Sequence, residues 1–197
     1  MSSRDAILSA LRRAAPPPAP LPAPLTGTQT FDDPVAHFAR MLGEVGGACV
    51  RVPSEDALRS AVAALPVVAA AKKVASLGPE AHPGNVQLAA IDDPHALASV
   101  DVAVIRGEFA VAENGAVWVP GAALGGLRAL LFVCQHLVLV VDPGTVVHTL
   151  HQAYPRLRFE GPGFGCFVSG PSKTADIEQA LVIGAHGARS ATVFLVG

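Results

Sequence analysis

Three stretches of this sequence are apolar at almost every position, and they constrain the fold most. They are VAVI at 102–105, LVLVV at 137–141 and ATVFLV at 191–196. A strand with one face in water alternates apolar and polar residues, whereas a strand buried on both faces does not. Segments with helical periodicity separate these runs along the chain, so we predict an α/β fold whose sheet is covered on both faces.

Local start and stop signals predict the remaining elements. They comprise helices over 33–46, 54–65, 144–154 and 172–183, strands over 48–52, 72–77 and 163–169, and a hairpin over 109–119. The apolar run at 130–134 directly precedes the one at 137–141, so together with the hairpin it adds consecutive strands. Because strands that follow each other closely pair antiparallel, we expect a largely parallel or mixed sheet.

The N-terminal part differs in character from the rest of the chain. Ser2 and Asp5 form a capping-box pattern ahead of apolar residues at helical spacing, which predicts a short amphipathic helix. Six of the nine positions from 16 to 24 are proline, so this stretch is an extended spacer. We therefore predict an N-terminal helix in 1–15, a proline-rich linker in 16–30 and one α/β domain in 31–197.

Charge is scarce, and this excludes several classes of protein. Charged residues make up 15% of the chain and the formal net charge is −2, whereas about 25% charged residues are usual. A nucleic-acid-binding protein normally presents a basic face, and a disordered chain combines high charge with low hydrophobicity, so we expect neither. No apolar run is long enough to span a bilayer and no secretory signal is visible, so we predict a cytoplasmic protein without membrane association.

The sequence lacks the ligand sets that are typical of metal centres. Cys49, Cys134 and Cys166 are isolated from one another, so we expect no iron–sulfur cluster in this chain. His148 and His151 are one helical turn apart, but no nearby cysteine or carboxylate completes a site. We therefore predict no metal site from these residues and three reduced cysteines.

The few charges of the C-terminal part cluster in one loop. The charged residues between 161 and 197 are Lys173, Asp176, Glu178 and Arg189. A strand that runs through Gly170 into a helix would expose backbone N–H groups at the positive end of the helix dipole. The hydroxyls of Ser172 and Thr174 and the ammonium of Lys173 would add donors, so we predict a site for phosphate or carboxylate.

The same residues also have a plain structural interpretation. Ser172 or Thr174 would cap the predicted helix, and Asp176 and Glu178 would lie in its first turns, as is common at helix starts. The two carboxylates would repel an anion unless Lys173 or a divalent cation lies between them. Both interpretations stay open at this point, with Mg²⁺ or a nucleotide as ligands to consider.

A second candidate lies in the predicted hairpin. Glu113 follows an apolar strand, and Gly115 close to it would let a ligand approach the backbone. A carboxylate at this position can accept from a ligand hydroxyl, act as a general base or hold a cation. The alternative is a hairpin turn in which Glu113 is simply solvated. His186, which follows the last predicted helix, is placed to line a cleft.

Two segments carry a resemblance to a known family. They are GPSKTADIE at 170–178 and LVIGAHG at 181–187. They resemble the signature of the lactate-utilisation (LUD) domain family, and the order of the other elements is similar over nearly the whole chain. One departure is NGA at 114–116, where the family usually carries hydroxyl side chains at the first and third positions.

The resemblance implies a three-layer α/β/α fold similar to the sugar-phosphate isomerase and CoA-transferase superfamily, which 5-formyltetrahydrofolate cyclo-ligases share. It also implies a role in bacterial oxidation of L-lactate to pyruvate, alongside two partners that carry iron–sulfur clusters. Since this chain lacks ligands for such a cluster, the electron carriers would belong to those partners.

Three functional hypotheses follow, of which the plainest is an interaction module that uses its alanine-rich helices and the N-terminal helix as docking surfaces. The other two assign a ligand or a reaction to the chain. In the first, the chain is an accessory subunit of a lactate-oxidising system and binds a small anion or a nucleotide at the loop from Gly170 to Glu178. In the alternative, it is a free-standing enzyme of the cyclo-ligase or sugar-phosphate type. Lys173 would then neutralise a phosphate, Asp176 or Glu178 would hold Mg²⁺, and Glu113 would act as general base. Whether the chain turns over a substrate stays open.

Overall fold

The computed structural model describes residues 2–17, 19–20, 29–159, 163–175 and 181–197. The helices within these ranges are α1 (Ser3–Ala14), α2 (Pro34–Glu44), α3 (Glu55–Ala64), α4 (Pro66–Ala69), α5 (Leu130–Val133) and α6 (Leu150–Ala153). The strands are β1 (Ala48–Val52), β2 (Val74–Ser76), β3 (Val102–Arg106), β4 (Phe109–Val111), β5 (Ala116–Pro120), β6 (His136–Val141), β7 (Gly165–Ser169), β8 (Lys173–Ala175), β9 (Leu181–Ile183) and β10 (Ser190–Val196).

The centre of the molecule is a five-stranded sheet in the order β1-β10-β6-β3-β2, with every neighbouring pair parallel. The three apolar runs of the sequence lie in its inner strands β3, β6 and β10. Most side chains of these strands are buried. The prediction of a sheet covered on both faces is therefore confirmed.

The expectation of consecutive strands in this sheet is wrong. Two parallel neighbours such as β3 and β6 need a crossover connection over one face of the sheet. Residues 107–135 supply that crossover, so β4 and β5 leave the main sheet and form a separate one with β7. The apolar run at 130–134 belongs to the same crossover and forms the short helix α5 instead of a strand.

The two faces of the parallel sheet are covered by different material. Helices α3 and α4 bury Leu58, Val62 and Val68 against one face. The other face packs against α2 through Phe38 and Leu42, against α5, and against side chains of β4 and β5. This second cover therefore combines helices with a small antiparallel sheet.

The antiparallel sheet has the order β4-β5-β7 and contains the predicted hairpin. Gly115 makes the turn with φ of +63°, a conformation that glycine adopts at little cost. Phe109, Trp118 and Phe167 lie opposite one another across the three strands and stack into an aromatic row. Gly165 has no room for a side chain because the Trp118 ring covers its α-carbon.

The predicted helix over 172–183 is wrong, since its described parts are the antiparallel strands β8 and β9. Gly170 adopts φ of +69° ahead of Pro171, and the Leu181-Val182-Ile183 run favours extended backbone. Non-local hydrogen bonds add to this preference, because Ser172 N–H donates to Ala188 (2.9 Å) and Gly184 N–H donates to the Ser172 carbonyl (2.8 Å). Asp176 and Glu178 lie outside the described residues.

Two other predictions have clear outcomes. The capping box of α1 is present, since Ser2 Oγ accepts from Asp5 N–H and the Asp5 carboxylate accepts from Ser2 N–H. The predicted helix over 144–154 is only partly formed. Helix α6 covers four residues, and 3₁₀ turns at Pro143–Thr145 and Tyr154–Arg156 flank the region.

Candidate functional site

A cavity of about 300 Å³ lies beside the turn that begins at Gly170. Residues 166–169 of β7 line it, together with Leu131 and Phe132 of α5 and with Leu137. Residues 170–173 and 186–188 complete its lining. Most of these side chains are apolar and a few are polar, which is typical of ligand-binding cavities.

Three of the predicted binding residues line this cavity, namely Gly170, Ser172 and Lys173. His186 also lines it, as the sequence indicated. Thr174, Glu113 and Gly115 are not among the residues that form its walls. The structure therefore brings together the first part of the predicted loop and separates it from the hairpin candidate.

Lys173 uses its ammonium group to hold the protein together. Its Nζ donates to the carbonyl oxygens of Val45 (2.9 Å), Ser169 (3.1 Å) and Pro171 (3.3 Å). Val45 ends helix α2, where carbonyl groups lack helical partners and the helix dipole attracts a cation. Desolvation by burial lowers the pKa of Lys173. Its three N–H donors are therefore directed at backbone oxygens in this conformation.

Gly170 and Gly187 allow the turn to pack closely. A Cβ at Gly170 would meet the Val45 carbonyl oxygen at 2.9 Å and Lys173 Nζ at 3.3 Å. A Cβ at Gly187 would meet the Ser172 side chain at 2.9 Å. Both glycines are needed by the shape of the site, whatever it binds.

Ser172 and His186 provide unused polar groups at the cavity. Neither side chain has a hydrogen-bond partner among the described residues. A hydroxyl and an imidazole can donate to an anionic oxygen or accept from a hydroxyl. These two residues are the polar contacts that the described part of the cavity offers to a small ligand.

Glu113 holds the crossover to the chain segment around helix α6 through hydrogen bonds. Its Oε1 accepts from Leu150 N–H (2.8 Å), the first residue of α6, and its own N–H donates to the His148 carbonyl (3.0 Å). Gly115 also has a packing role, because a Cβ there would come within 2.6 Å of Leu42 N in helix α2. The hairpin therefore supports α2, and its carboxylate caps a short helix.

The hairpin and the cavity are connected through one serine. Ser169 Oγ donates to the Asn114 carbonyl (2.7 Å), while the Ser169 carbonyl accepts from Lys173. Because β7 carries Ser169 next to Gly170, the hairpin, the end of α2 and the turn are held in one arrangement. The sequence-based prediction placed Glu113 and Lys173 in one region, and this link is what relates them.

Two wall residues escaped the sequence-based prediction as site residues. Phe132 is 51% exposed although it is a large apolar side chain, and Cys166 lies in β7. Burial raises the pKa of the Cys166 thiol, so it is protonated and acts as an apolar wall. An aromatic residue in an apolar run looks like core, and no local signal distinguishes it.

A separate charged group lies where β3 ends. Arg106 donates to Glu80 Oε1 through Nε and to Glu55 Oε1 through Nη2, both at 2.7 Å. Burial by itself would raise the pKa of Glu80, but the hydrogen bond from Arg106 lowers this pKa below its usual value. Open α/β sheets usually bind ligands at the carboxyl ends of their strands. Here these three charges are satisfied by each other.

A group of three or more metal-ligating side chains does not occur in the part of the chain that the structure describes. The two carboxylates predicted to hold Mg²⁺, Asp176 and Glu178, lie outside that part. In the same described ranges, no helix has the length and apolar character required to cross a bilayer.

Comparison with known proteins decides the family. The model of the LUD domain matches residues 35–196 of this chain. The chain belongs to the LUD-domain family. The resemblance of the 170–187 segment to this family is thereby confirmed.

The LUD-domain chain has distant relatives with a shared name. Lactate utilization protein C of Bacillus pumilus is 36% identical over 99 residues, which cover 47% of this chain and 41% of that protein. The protein of the same name from Oceanobacillus iheyensis is 28% identical over 102 residues, covering 49% and 43%. The matched regions thus span less than half the length of these relatives.

A solved structure shows a similar fold. The crystal structure of a DUF162 family protein from Deinococcus radiodurans superposes with a TM-score of 0.59 at 19% sequence identity. The match covers 83% of the LUD-domain chain and 96% of that chain. This likeness concerns the α/β architecture and leaves the chemistry of the cavity to be argued from its own residues.

Proposed function

We propose that this LUD-domain chain is an accessory subunit of a bacterial L-lactate oxidation system. The observation that carries the proposal is the family match over 35–196 together with relatives named lactate utilization protein C. Because the cysteines of this sequence are isolated from one another, partner proteins would carry the iron–sulfur clusters. This chain would then contribute a binding site and contact surfaces.

Growth and co-purification test this role. Deleting the gene should abolish growth on L-lactate as the carbon source and leave growth on pyruvate unchanged, and the full chain should restore it. A tagged full chain should co-purify with iron-containing partners. Normal growth of the deletion strain on lactate, with no second copy of the gene present, would contradict the proposal.

We further propose that a small anion binds in this cavity, beside the turn that begins at Gly170. Support comes from the unused hydroxyl of Ser172, the imidazole of His186 and the volume of about 300 Å³, which suits a small molecule. Gly170 and Lys173 would shape the turn, and Thr174, Asp176 and Glu178 follow it in sequence. A nucleotide with its phosphate at the turn is the alternative ligand.

Titration calorimetry with the full chain tests this site. The probes are L-lactate, pyruvate, inorganic phosphate and AMP. At least one should bind, and Ser172→Ala should weaken that binding about tenfold or more, because it removes a hydrogen bond to a charged group. Ser60→Ala on α3 is the matched control and should bind normally. Equal binding by Ser172→Ala would place the ligand elsewhere, and no binding by any probe would contradict the proposal.

The alternative of a free-standing enzyme finds less support. A cyclo-ligase or sugar-phosphate type of reaction would need Glu113 as base beside Lys173, yet the Glu113 carboxylate is bonded to Leu150 N–H and does not line the cavity. Thermal-shift screening against folates and sugar phosphates, with and without Mg²⁺, separates the two functions. A stabilising ligand there would favour the enzyme.

A further inference from the structure

Strand β7 is an edge strand with one free side. It pairs with β5, and across the described residues no strand pairs with its other side. Five residues, GCFVS, form it without a charged residue or a proline. An edge of this kind exposes a row of unpaired backbone N–H and C=O groups.

The register identifies which groups point outward. Gly121 N–H donates to the Phe164 carbonyl (2.8 Å), so these two residues form a hydrogen-bonded pair of the ladder. Such pairs alternate along antiparallel strands, which directs the backbone groups of Cys166 and Val168 toward β5. The N–H and C=O groups of Gly165, Phe167 and Ser169 therefore face away from it.

The described contacts agree with this assignment. The outward carbonyl of Ser169 accepts from the Lys173 ammonium (3.1 Å). The outward carbonyl of Phe167 has only the thiol of Cys166 at 3.6 Å, a weak donor. The N–H groups of Phe167 and Ser169 have no partner in the described part of the chain.

The free edge opens into the cavity beside Gly170. Four successive residues, 166–169, line that cavity. Since successive side chains of a strand point to opposite faces, a space lined by all four runs along the backbone edge. Leu131 and Phe132 of α5 line the same space, so apolar side chains lie beside the free edge, and we call this space the groove.

Other edge strands of the molecule are protected in ways that β7 is not. Strand β1 carries Arg51, and β2 and β4 are only three residues long. Charged residues and short length are the usual means by which proteins prevent pairing at an edge. The edge of β7 has neither, although a single lysine covers its last carbonyl.

We propose that the β7 edge binds an extended segment of a partner polypeptide, which adds a strand to the sheet and places one apolar side chain in the cavity. Backbone donors and acceptors in a row are complemented by another extended backbone, and the apolar walls select a side chain. A second copy of this chain fits less well, because the Ser169 carbonyl on its own β7 edge already accepts from Lys173, whereas a separate extended peptide has all its backbone groups free. The partner side chain and the proposed anion would use different residues of the cavity, namely the apolar Leu131, Phe132 and Val168 for the side chain and Ser172 and His186 for the anion.

Peptide binding to the ¹⁵N-labelled full chain tests the proposal. The probes are blocked eight-residue peptides of alternating valine and threonine with a central phenylalanine, leucine or methionine. Each peptide is also made in two N-methylated versions, one methylated at the odd positions and one at the even positions. We expect binding that slows amide hydrogen exchange at Phe167 and Ser169 about tenfold or more. Exchange at Cys166 and Val168, already bonded to β5, should not change. One of the two methylation patterns should weaken binding at least tenfold and the other should not.

Two matched substitutions locate the groove. Phe132→Asp places a charge on the groove wall and should reduce peptide affinity at least tenfold. Phe159→Asp alters a phenylalanine of similar exposure (56% against 51%) outside the groove and should leave affinity unchanged. Melting curves confirm that both variants fold, and the methylated peptides test the wild-type chain independently.

Three results would overturn the proposal. The first is the absence of exchange protection at Phe167 and Ser169 with every peptide, and the second is equal binding by folded Phe132→Asp. The third is protection of the same amides without any peptide, in a chain that sedimentation shows to self-associate. The last result would identify a second copy as the occupant.

Discussion

The two larger sheets of this protein differ in how completely they are buried. In the central parallel sheet, five of the six residues of β6 are buried, and side chains from both faces enter separate cores. In the antiparallel sheet, every residue of β7 is only half-buried. Strands β4 and β5 are largely buried as well, so the difference lies in the edge strand β7, which runs beside a cavity. We therefore expect the central sheet to contribute most to stability and propose binding at the edge of the antiparallel sheet.

The largest expected effect tests the stabilising role of the central sheet. Phe194 in β10 is fully buried, and Phe194→Ala should lower the free energy of unfolding by about 3–5 kcal/mol, since it removes apolar contacts and leaves a cavity. Urea denaturation measures this. Phe132→Ala at the groove should cost less than about 1 kcal/mol, because the ring is half exposed. Similar losses for the two variants would remove the distinction between the sheets.

The next prediction concerns the hairpin of the antiparallel sheet. Gly115→Ala should cost about 2–4 kcal/mol, because it combines a left-handed backbone with a clash against the backbone of α2 at Leu42. Gly125 also has positive φ, but its Cβ would meet nothing within 4 Å. Gly125→Ala should therefore cost only about 1 kcal/mol. Chemical denaturation of both variants checks the difference, and equal costs would mean that α2 does not press on the hairpin.

A smaller effect is expected at the ammonium that joins the turn to α2. Lys173→Met removes three hydrogen bonds to carbonyl oxygens and should cost about 1 kcal/mol, a modest value because the side chain is partly in water. Lys72→Met is the control, since its side chain has no hydrogen-bond partner among the residues described. If both variants are equally stable in urea, the ammonium does not hold the turn.

The smallest expected effect depends on pH and concerns Asp101, which directly precedes β3 at the amino end of the parallel sheet. The backbone N–H of Lys73 lowers the pKa of Asp101 below its usual 3.8; burial opposes the shift, and the backbone N–H of Lys72 adds to it. A depressed carboxyl pKa stabilises the folded state above the unfolded pKa, and this is lost as pH falls through the folded pKa.

Asp101→Ala should therefore lower the melting temperature by about 1–2 °C at pH 7, a small change because the group is exposed. The difference from wild type should shrink as pH falls below about 3.8 and should vanish once both states are protonated. Calorimetry at pH 7 and under acid conditions measures it. A difference that stays constant with pH would contradict a charge-dependent origin.

Much of the fold could be predicted because its signals are local. The uninterrupted apolar runs predicted β3, β6 and β10, and Asn114-Gly115 predicted the hairpin that Gly115 forms. Helix caps at Ser2, Asp33 and Ser54 were likewise readable, because each serves donors within three residues of itself. These features depend on neighbours in sequence, so no tertiary information is needed.

The candidate site was predictable only in part. Gly170, Ser172 and Lys173 are close in sequence and line one cavity. The helix assigned after them is a hairpin of strands, because its backbone bonds go to Ala188 and across to β9 rather than along itself. Residue types that cap helices also occur in turns between strands, so the residue types alone could not distinguish a helix start from this turn.

The sequence by itself determined the class of fold and the family, through apolar runs too long to leave one face in water and through the motif at 170–187. Only the tertiary structure decided which residues share a surface. There the Lys173 ammonium donates to the carbonyl of Val45, 128 positions away, and the Glu113 carboxylate accepts from Leu150 N–H. Within the described ranges, no strand pairs with the outer edge of β7. These outcomes depend on contacts between distant segments, whose geometry is set by the packing of the crossover on the parallel sheet.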